Sequence, residues 1–451
     1  MDCLYPTLSS LYGQLMGYDR WRIRRSVELA AARSPEDLAS EARLLFQRRA
    51  EDAIRRFPVY AERVKAFRGS LPQEGEEIDP SSLPVWTRQD QRALFDSLRA
   101  PPYPGSFIHS TGGSTGVPLR FYVTRASFEW RTAASDRGYS WAGAEEGRRS
   151  LYVWGTPVRS PGPLARLKAE MHHRLQRRTY FDSFHFGDDD KRRCCEAVNR
   201  LRPPAIVGYA GNLIELACFA RDNPGAVAWR ATAIVTAAEG LAPGRRELIE
   251  QHLGGKVLMS YGSREFMLIG MECERQDGYH IASDNLLVEV VDEGGCAVPP
   301  GGTGRIVITD LHNDANPFIR YEIGDLGALA PAEARCACGR PFPRLARVEG
   351  RLQEVIRTPE GGRLTALFIP HLMKEFPWID GYQVVQNSPV QLTLRLVTRG
   401  PLDDAAVRPI TAALQDKCGR SMGVVYERVD RLHKSPSGKT PIVVTADGGP
   451  N

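Results

Sequence analysis

Nine consecutive residues, Ser110-Thr111-Gly112-Gly113-Ser114-Thr115-Gly116-Val117-Pro118, hold three glycines and four hydroxyl side chains. Glycine admits positive φ and lets a ligand approach the backbone closely. Clustered main-chain N–H groups and hydroxyls make a nest for an anion, most often a phosphate. The same composition also builds plain flexible loops. No Gly-Lys-Ser/Thr closes the string, so it is not a Walker loop, and a P-loop phosphotransferase is excluded.

Four further strings follow. Tyr261-Gly262-Ser263-Arg264-Glu265 comes after an expected strand, and Arg320-Tyr321-Glu322-Ile323-Gly324-Asp325 ends in a carboxylate on an expected glycine turn. Gly350-Arg351 stands where a large domain is expected to end, and Ser435-Pro436-Ser437-Gly438-Lys439 puts a lysine on a late loop. Taken singly, each is also an ordinary turn. A second chemistry is offered by Cys273 and His280, with six residues between them, and by Cys336 and Cys338, with one between them. Two such pairs on separate loops suit a tetrahedral Cys₃His zinc shell with no open position. Four ordinary reduced residues are the plainer reading, of which Cys296 and Cys418 are better examples.

Elements must position these groups. The first hundred residues read mainly as helix. Ser34-Pro35-Glu36-Asp37 combines a capping serine with a first-turn proline, and Thr87 with Asp90 makes a second cap after the extended Leu83–Thr87. From about residue 105, short apolar runs alternate with helical stretches. Leu151–Trp154, Ala205–Gly208, Ala233–Thr236 and Lys256–Met259 read as buried strands, with a helix around Glu247–Gln251 between two of them. That alternation predicts a mostly parallel α/β sheet. Leu287–Val291 and Arg305–Thr309, separated by the turn Pro299-Pro300-Gly301-Gly302, predict an antiparallel pair. Gln391–Val397 alternates as a half-buried strand. A helix from about Asp403 to Asp416 and a short strand at Ile442–Val444 complete a separate small α+β unit.

Bulk properties narrow the class. The 451 residues suggest two or three domains, 42% are hydrophobic and 25% charged, and the net charge is only +5. Arginine clusters at Arg22–Arg25 and Arg174–Arg178 read as solvated helix faces, so no nucleic-acid partner is expected. No apolar run reaches about 18 residues, so no membrane span is expected. Nine cysteines and an N-terminus without a secretory pattern point to reduced thiols and a cytoplasmic setting.

In their order, the strings resemble the adenylate-forming superfamily of acyl-CoA synthetases, luciferases and nonribosomal adenylation domains. Within it the chain is similar to the phenylacetate–CoA ligase branch, and most of all to its capsule-biosynthesis-type relatives. Ala237-Ala238-Glu239, Glu272-Cys273, Gly278-Tyr279-His280-Ile281 and Cys336-Ala337-Cys338-Gly339-Arg340 add to the resemblance, which covers about residues 83 to 351, with Lys439 beyond. It implies an α/β fold: a large multi-sheet domain over 1–351, with a mainly helical lead-in over 1–100, and a small mobile α+β lid over 352–451.

The resemblance implies a ligase that joins ATP and a carboxylate as an acyl-adenylate and releases pyrophosphate. Ser110, Thr111, Gly112, Gly113, Ser114, Thr115 and Gly116 would hold the β- and γ-phosphates. Ala238, Glu239, Gly262 and Ser263 would complete the ATP site, with Tyr261 against adenine. Glu265 would ligate Mg²⁺, Asp325 would accept from the ribose hydroxyls, and Arg351 would reach the ribose or phosphate. Lys439 would stabilise charge growing at the reacting carboxylate. Trp154, Phe184, His185 and Tyr209 fall where such folds form the acyl pocket, which fits an aryl or apolar acid. His172 and His173 lie in the same region, where packing roles are equally ordinary. The zinc set Cys273, His280, Cys336 and Cys338 recurs in the same branch.

The string departs from the pattern after the expected hinge. Gln353 stands where relatives usually carry Asp, and Arg357-Thr358-Pro359-Glu360-Gly361-Gly362-Arg363 replaces an Arg-Gly-x-Asn-Ile-x-Pro type string that helps build a pantetheine passage. The acceptor is therefore CoA, an amine, a hydroxyl or a carrier-protein thiol. A nucleotide-binding scaffold without catalysis is the alternative class; the presence of Glu265, Asp325 and Lys439 together argues against it.

Overall fold

The computed structural model describes residues 20–98, 100–111, 119–155, 171, 173–174, 176–183, 186–237, 240–241, 244–351, 355–359, 363–365, 368–373, 375–376, 378–398, 400–433 and 440–445. Among the described residues four α-helices come first: α1 (Arg20–Ala30), α2 (Pro35–Arg56), α3 (Pro58–Arg68) and α4 (Arg88–Ser97). Ser34 caps α2 by accepting the Asp37 N–H at 3.0 Å, with Pro35 at the first position. Thr87 and Asp90 form the reciprocal capping box of α4. Helix α2 buries Leu38, Ala42, Phe46, Ala50 and Ala53, a stripe at helical spacing. Ala42, Phe46, Ala50 and Ala53 pack into a core shared with Leu286, Ile306 and Phe318, while Leu38 meets Ala30 and Phe342.

The hairpin β1 (Phe107–Ser110) and β2 (Arg120–Val123) then brackets the glycine-rich string, and α5 (Arg125–Ser140) follows. The rest of the large unit is one sheet of eleven strands. Its parallel half comprises β3 (Ser150–Trp154), β4 (Arg178–Asp182), β5 (Ala205–Tyr209), β6 (Ala233–Ala237) and the first part of β7 (Lys256–Ser263). Helices α6 (Asp188–Leu201), α7 (Ala210–Asp222) and α8 (Arg245–Leu253) cover one face of it, burying Leu151, Val153, Ile206, Ile234 and Val257. Tyr152, Val207, Val235 and Leu258 point to the other face, as strand alternation requires.

The antiparallel half continues from β7 through β8 (Met267–Glu272), β9 (Tyr279–Ile281), β10 (Leu286–Val291), β11 (Gly304–Asp310), β12 (Tyr321–Leu329) and β13 (Arg344–Arg351). Its spatial order runs β7, β8, β9, β13, β12, β11, β10. The expected antiparallel pair is β10 with β11. The C-terminal part holds a hairpin, β14 (Val355–Arg357) with β15 (Arg363–Thr365), then α9 (Phe368–Met373). A four-stranded sheet follows, made of β16 (Ile379–Ser388), β17 (Gln391–Thr398), β18 (Gly423–Arg428) and β19 (Val443–Thr445), with α10 (Asp404–Cys418) packed on it. Its core is its own: Val384, Leu392, Leu394, Leu396, Ile410, Leu414 and Val443. The mixed α/β class is as expected, with extensive antiparallel pairing added.

Three local expectations are corrected. Arg24 is not on a solvated face: with Arg20 it pairs with Glu129 and Glu146, and its Nη1 reaches Asp136 at 3.2 Å. These acids sit on or next to α5, so α1 docks through buried charge. Arg178 likewise turns inward and lies 5.2 Å from the Tyr152 ring centroid. Asp325 is not at a turn but inside β12, because Gly324 takes φ of 87° without ending the strand. Among the described residues no helix is long and apolar enough to cross a membrane.

Candidate functional site

Strand β7 is where the sheet changes character. Ala233–Thr236 pair in parallel with Lys256–Met259, whereas Ser260–Ser263 pair antiparallel with β8. The string Tyr261–Glu265 occupies this switch and the hairpin that follows, rather than a loop after the strand. Glycine is required at 262, since a Cβ there would sit 2.2 Å from the Met267 carbonyl oxygen. Open α/β sheets bind ligands at the C-terminal ends of strands near such switch points.

Tyr261 Oη donates to Asp325 Oδ2 at 2.8 Å. Four strand steps separate β7 from β12, about 19 Å on a flat sheet at about 4.8 Å per step. Contact at 2.8 Å therefore requires the antiparallel half to curl. Arg351, the last residue of β13, is the backbone register partner of Asp325. Three strings spread over ninety residues of sequence thus converge at one place.

A second convergence lies at the mouth of the glycine-rich string. Glu265 is buried, 6% exposed, and its Oε1 lies 3.6 Å from Arg88 Nη1. Arg88 Nη2 donates to Thr111 Oγ1 at 2.9 Å and the same guanidinium bonds the buried Tyr321. Thr111 Oγ1 also accepts the Leu119 N–H at 2.9 Å, and Thr111 pairs with Leu119 through its own N–H. Both ends of the string are thereby closed by Thr111 and Leu119. Arg264 Nε reaches the Ser110 carbonyl at 3.4 Å. Sequence reasoning missed Arg88, whose only local signal is its place after a capping threonine. Arg320, by contrast, is structural: it donates to the Leu83 and Gly295 carbonyls at 2.6 Å and pairs with Glu289.

Trp154 and Tyr209 end β3 and β5, with ring centroids 4.5 Å apart. Ala237 ends β6 beside them. Gly112, Gly113, Ser114, Thr115, Gly116, Phe184, His185, Ala238, Glu239 and Lys439 lie outside the described residues, as do His172 and Gln353. His173 packs against Tyr180 at 4.3 Å. Arg357 and Arg363, the two ends of the replaced hinge string, pair with each other across β14 and β15, and β14 is tied to β16 by the Gln386 amide, which bonds both the N–H and the carbonyl of Arg357.

The four metal-type residues are brought together. The ligand atoms of Cys273, His280, Cys336 and Cys338 all lie within 4.8 Å of one another. Cys273 Sγ is 3.6 Å from Cys336 Sγ, near the edge of about 3.8 Å expected of a tetrahedron with about 2.3 Å zinc–sulfur bonds. Cys338 Sγ is 3.3 Å from His280 Nε2. His280 Nδ1 faces the Phe342 carbonyl at 3.3 Å, which can only accept, so Nδ1 carries the proton and Nε2 is free to ligate. Burial lowers the His280 imidazole to about 4, keeping it neutral. The N–H groups of Arg275 and Arg340 point at the Cys273 and Cys338 sulfurs at 3.4 and 3.5 Å. This donor set fits structural Zn²⁺.

Residues 356–446 match the family model of the CapK C-terminal domain. A phenylacetate–coenzyme A ligase of Thermus thermophilus is 27% identical over 325 residues, 68% of this chain and 70% of its own. Protein CapK of Staphylococcus aureus is 22% identical over 367 residues, 80% of this chain and 78% of its own. The chain is phenylacetate–CoA ligase-like and CapK-like. Its fold is also that of solved adenylating ligases. A 2-hydroxyisobutyryl-CoA ligase, crystallised in the postadenylation state with an acyl-AMP, superposes with a TM-score of 0.71 at 20% identity, over 93% of this chain and 91% of the other. In this phenylacetate–CoA ligase-like chain, the curled antiparallel half carries both the Tyr261–Asp325 pair and the candidate zinc centre.

Proposed function

We propose that the chain is an ATP-dependent carboxylic acid ligase of the cytoplasm that forms an acyl-adenylate, releases pyrophosphate and then passes the acyl group to an acceptor. The observation that carries this reading is the meeting of Tyr261, Asp325 and Arg351 beside the cluster of Thr111, Arg88 and Glu265. Ser110 to Gly116 would clamp the outer phosphates with N–H and hydroxyl donors. Glu265 would hold Mg²⁺, which supplies neutralising charge to the phosphate oxygens when bound. Ala238, Glu239, Gly262 and Ser263 would line the nucleotide, Tyr261 would face adenine and Asp325 would receive the ribose hydroxyls.

We assign residues 1–351 to the adenylating domain and 352–451 to a mobile lid that delivers Lys439 to the reacting carboxylate. Domain rotation about the segment after Arg351 would then exchange Lys439 for an acceptor surface. The acceptor is CoA or another thiol or an amine. Relatives named as CoA ligases favour CoA, while the β14–β15 hairpin in place of the usual hinge string leaves room for the others. Zn²⁺ on Cys273, His280, Cys336 and Cys338 would be structural, since all four positions of the shell are protein atoms.

Carboxylate-dependent pyrophosphate exchange tests the reading. Exchange should appear with a panel of acids and fall by a factor of about 100 or more in Lys439→Ala, consistent with removal of one preorganised charge donor. Unchanged exchange in that variant overturns the role of Lys439. ATP binding without exchange for any acid favours the scaffold reading instead.

A further inference from the structure

Buried ion pairs elsewhere in this chain are closed by direct hydrogen bonds. Arg131 Nη2 meets Asp310 Oδ2 at 2.5 Å, and Arg137 grips both oxygens of Asp284 at 2.6 and 2.7 Å. Glu265 differs. It is buried, yet its Oε1 lies 3.6 Å from Arg88 Nη1, beyond the about 2.7–2.9 Å of a charge-assisted hydrogen bond. Among the described residues no N–H or O–H group donates to this carboxylate. Arg88 therefore supplies the counter-charge that burial demands while leaving both oxygens open to a metal ion.

Arg88 directs its hydrogen bonds elsewhere. Its Nη2 donates to Thr111 Oγ1 at 2.9 Å, and the guanidinium also bonds the buried Tyr321 hydroxyl. Both acceptors are neutral, and burial raises the Tyr321 phenol further from ionisation. They fix where the cation stands without cancelling its charge. The capping box of Thr87 and Asp90 fixes the backbone from which it reaches, at the first residue of α4. Thr111 is the second residue of the glycine-rich string, so one guanidinium touches the root of that string and faces Glu265. A cation so placed opposes a second cation on the same carboxylate and attracts a polyphosphate.

We propose that Arg88 is the resident counter-cation of the phosphate site: it answers Glu265 while the site is empty and turns its charge to the outer phosphates of the nucleotide, so that metal and nucleotide are taken together in preference to a divalent ion alone. This rests on the adenylation reading and names how its phosphate site chooses its ligand. The exchange breaks no hydrogen bond to Glu265, and the bonds to Thr111 and Tyr321 keep the guanidinium within reach throughout. Arg88 thus sets specificity at the site through charge, apart from any role in holding the fold.

Two binding measurements on the full chain, with no acid present, test the proposal. Mn²⁺ stands in for Mg²⁺, since carboxylate oxygens suit both, and is read by the paramagnetic resonance of the free ion. ATP is titrated calorimetrically without added divalent metal. Arg88→Met should tighten Mn²⁺ and weaken ATP, each by about tenfold, and Arg88→Lys should return both toward the native values. Combining Arg88→Met with Glu265→Gln should abolish the Mn²⁺ gain; a gain that persists overturns the proposal. If Arg88→Met does not fold, the double variant, which removes both charges, should bind ATP about tenfold more weakly than Glu265→Gln alone, and equal affinities overturn the proposal. Mn²⁺ and ATP affinities that move in the same direction, or either one unchanged, overturn the role of Arg88 and leave the ATP site standing. A native chain that binds ATP neither with nor without Mg²⁺ overturns the adenylation reading as well.

Discussion

Tyr261 and Asp325 are joined by a 2.8 Å hydrogen bond across a curled sheet, from strands that are four steps apart in it. The phenol holds one carboxylate oxygen in place, so under the proposed function Asp325 would meet the nucleotide already oriented. Removing that donor should act on binding before chemistry. A hydrogen bond to a charged group contributes about 1.5–3 kcal/mol, equivalent to tenfold or more. Tyr261→Phe keeps the ring and should raise the KM for ATP by about tenfold in pyrophosphate exchange, with a smaller change in kcat. An unchanged KM would show that Asp325 is held by other groups.

The Cys273, His280, Cys336 and Cys338 cluster ties the β12–β13 connection to the β8–β9 hairpin. A metal ion there would act as a cross-link. Elemental analysis should find about one zinc per chain, four protein ligands being a complete structural shell. Cys336→Ser should lose most of it and melt several degrees lower, and a strong chelator should lower the native melting temperature in the same way. A chain that folds and melts normally without metal would refute the centre.

Asp380 on β16 pairs with Arg221 of α7 at 3.4 Å and with Arg245 of α8 at 3.7 Å. Arg245 also reaches the Ile379 carbonyl. These contacts fasten the four-stranded sheet to the large one in this arrangement. If the C-terminal unit must swing between half-reactions, the pairs bias its resting position. Asp380→Asn should change the ratio of adenylation rate to acyl-transfer rate by about threefold to tenfold, as expected for losing about 1 kcal/mol. Added salt should move the native ratio in the same direction. Identical ratios in native and variant proteins would remove the clasp from the mechanism.

Acid should loosen the region around the glycine-rich string. Burial, with Arg264 and Arg131 nearby, lowers the His109 imidazole to about 4. A histidine of depressed pKa binds its proton more readily when unfolded, so stability is full above about pH 6.5 and declines as pH falls toward 4. Burial lowers His280 and His312 in the same sense. Thermal melts between pH 7 and 4.5 should show the decline, and His109→Gln should flatten part of it. A profile unaltered by that substitution would place the titration elsewhere.

Much of this architecture was legible in the amino-acid string, for local reasons. The parallel strands at Leu151, Ile206, Ile234 and Val257 are short buried runs between helical stretches, and the Ser34 and Thr87 caps carry their own chemistry. The zinc candidates were legible because ligand pairs keep close spacing. The misreadings came from long-range structure. Gly324-Asp325 has turn composition, yet pairing with β13 keeps it in a strand. Arg24 and Arg178 read as solvated because their partners, Glu129, Asp136 and Tyr152, are distant in sequence. Arg88 carries no motif at all; it becomes visible only once Thr111 and Glu265 are brought to it.

Strand β7 holds neighbours with opposite duties: Ser260 bonds the Tyr139 hydroxyl of α5, and Tyr261 reaches Asp325 across the antiparallel half. Adjacent residues in a strand point to opposite faces, so one inserted or deleted residue there would exchange the two. Loop length can drift elsewhere in such a fold, but not at this position. Divergence here is therefore confined to swapping side chains on a backbone of fixed count.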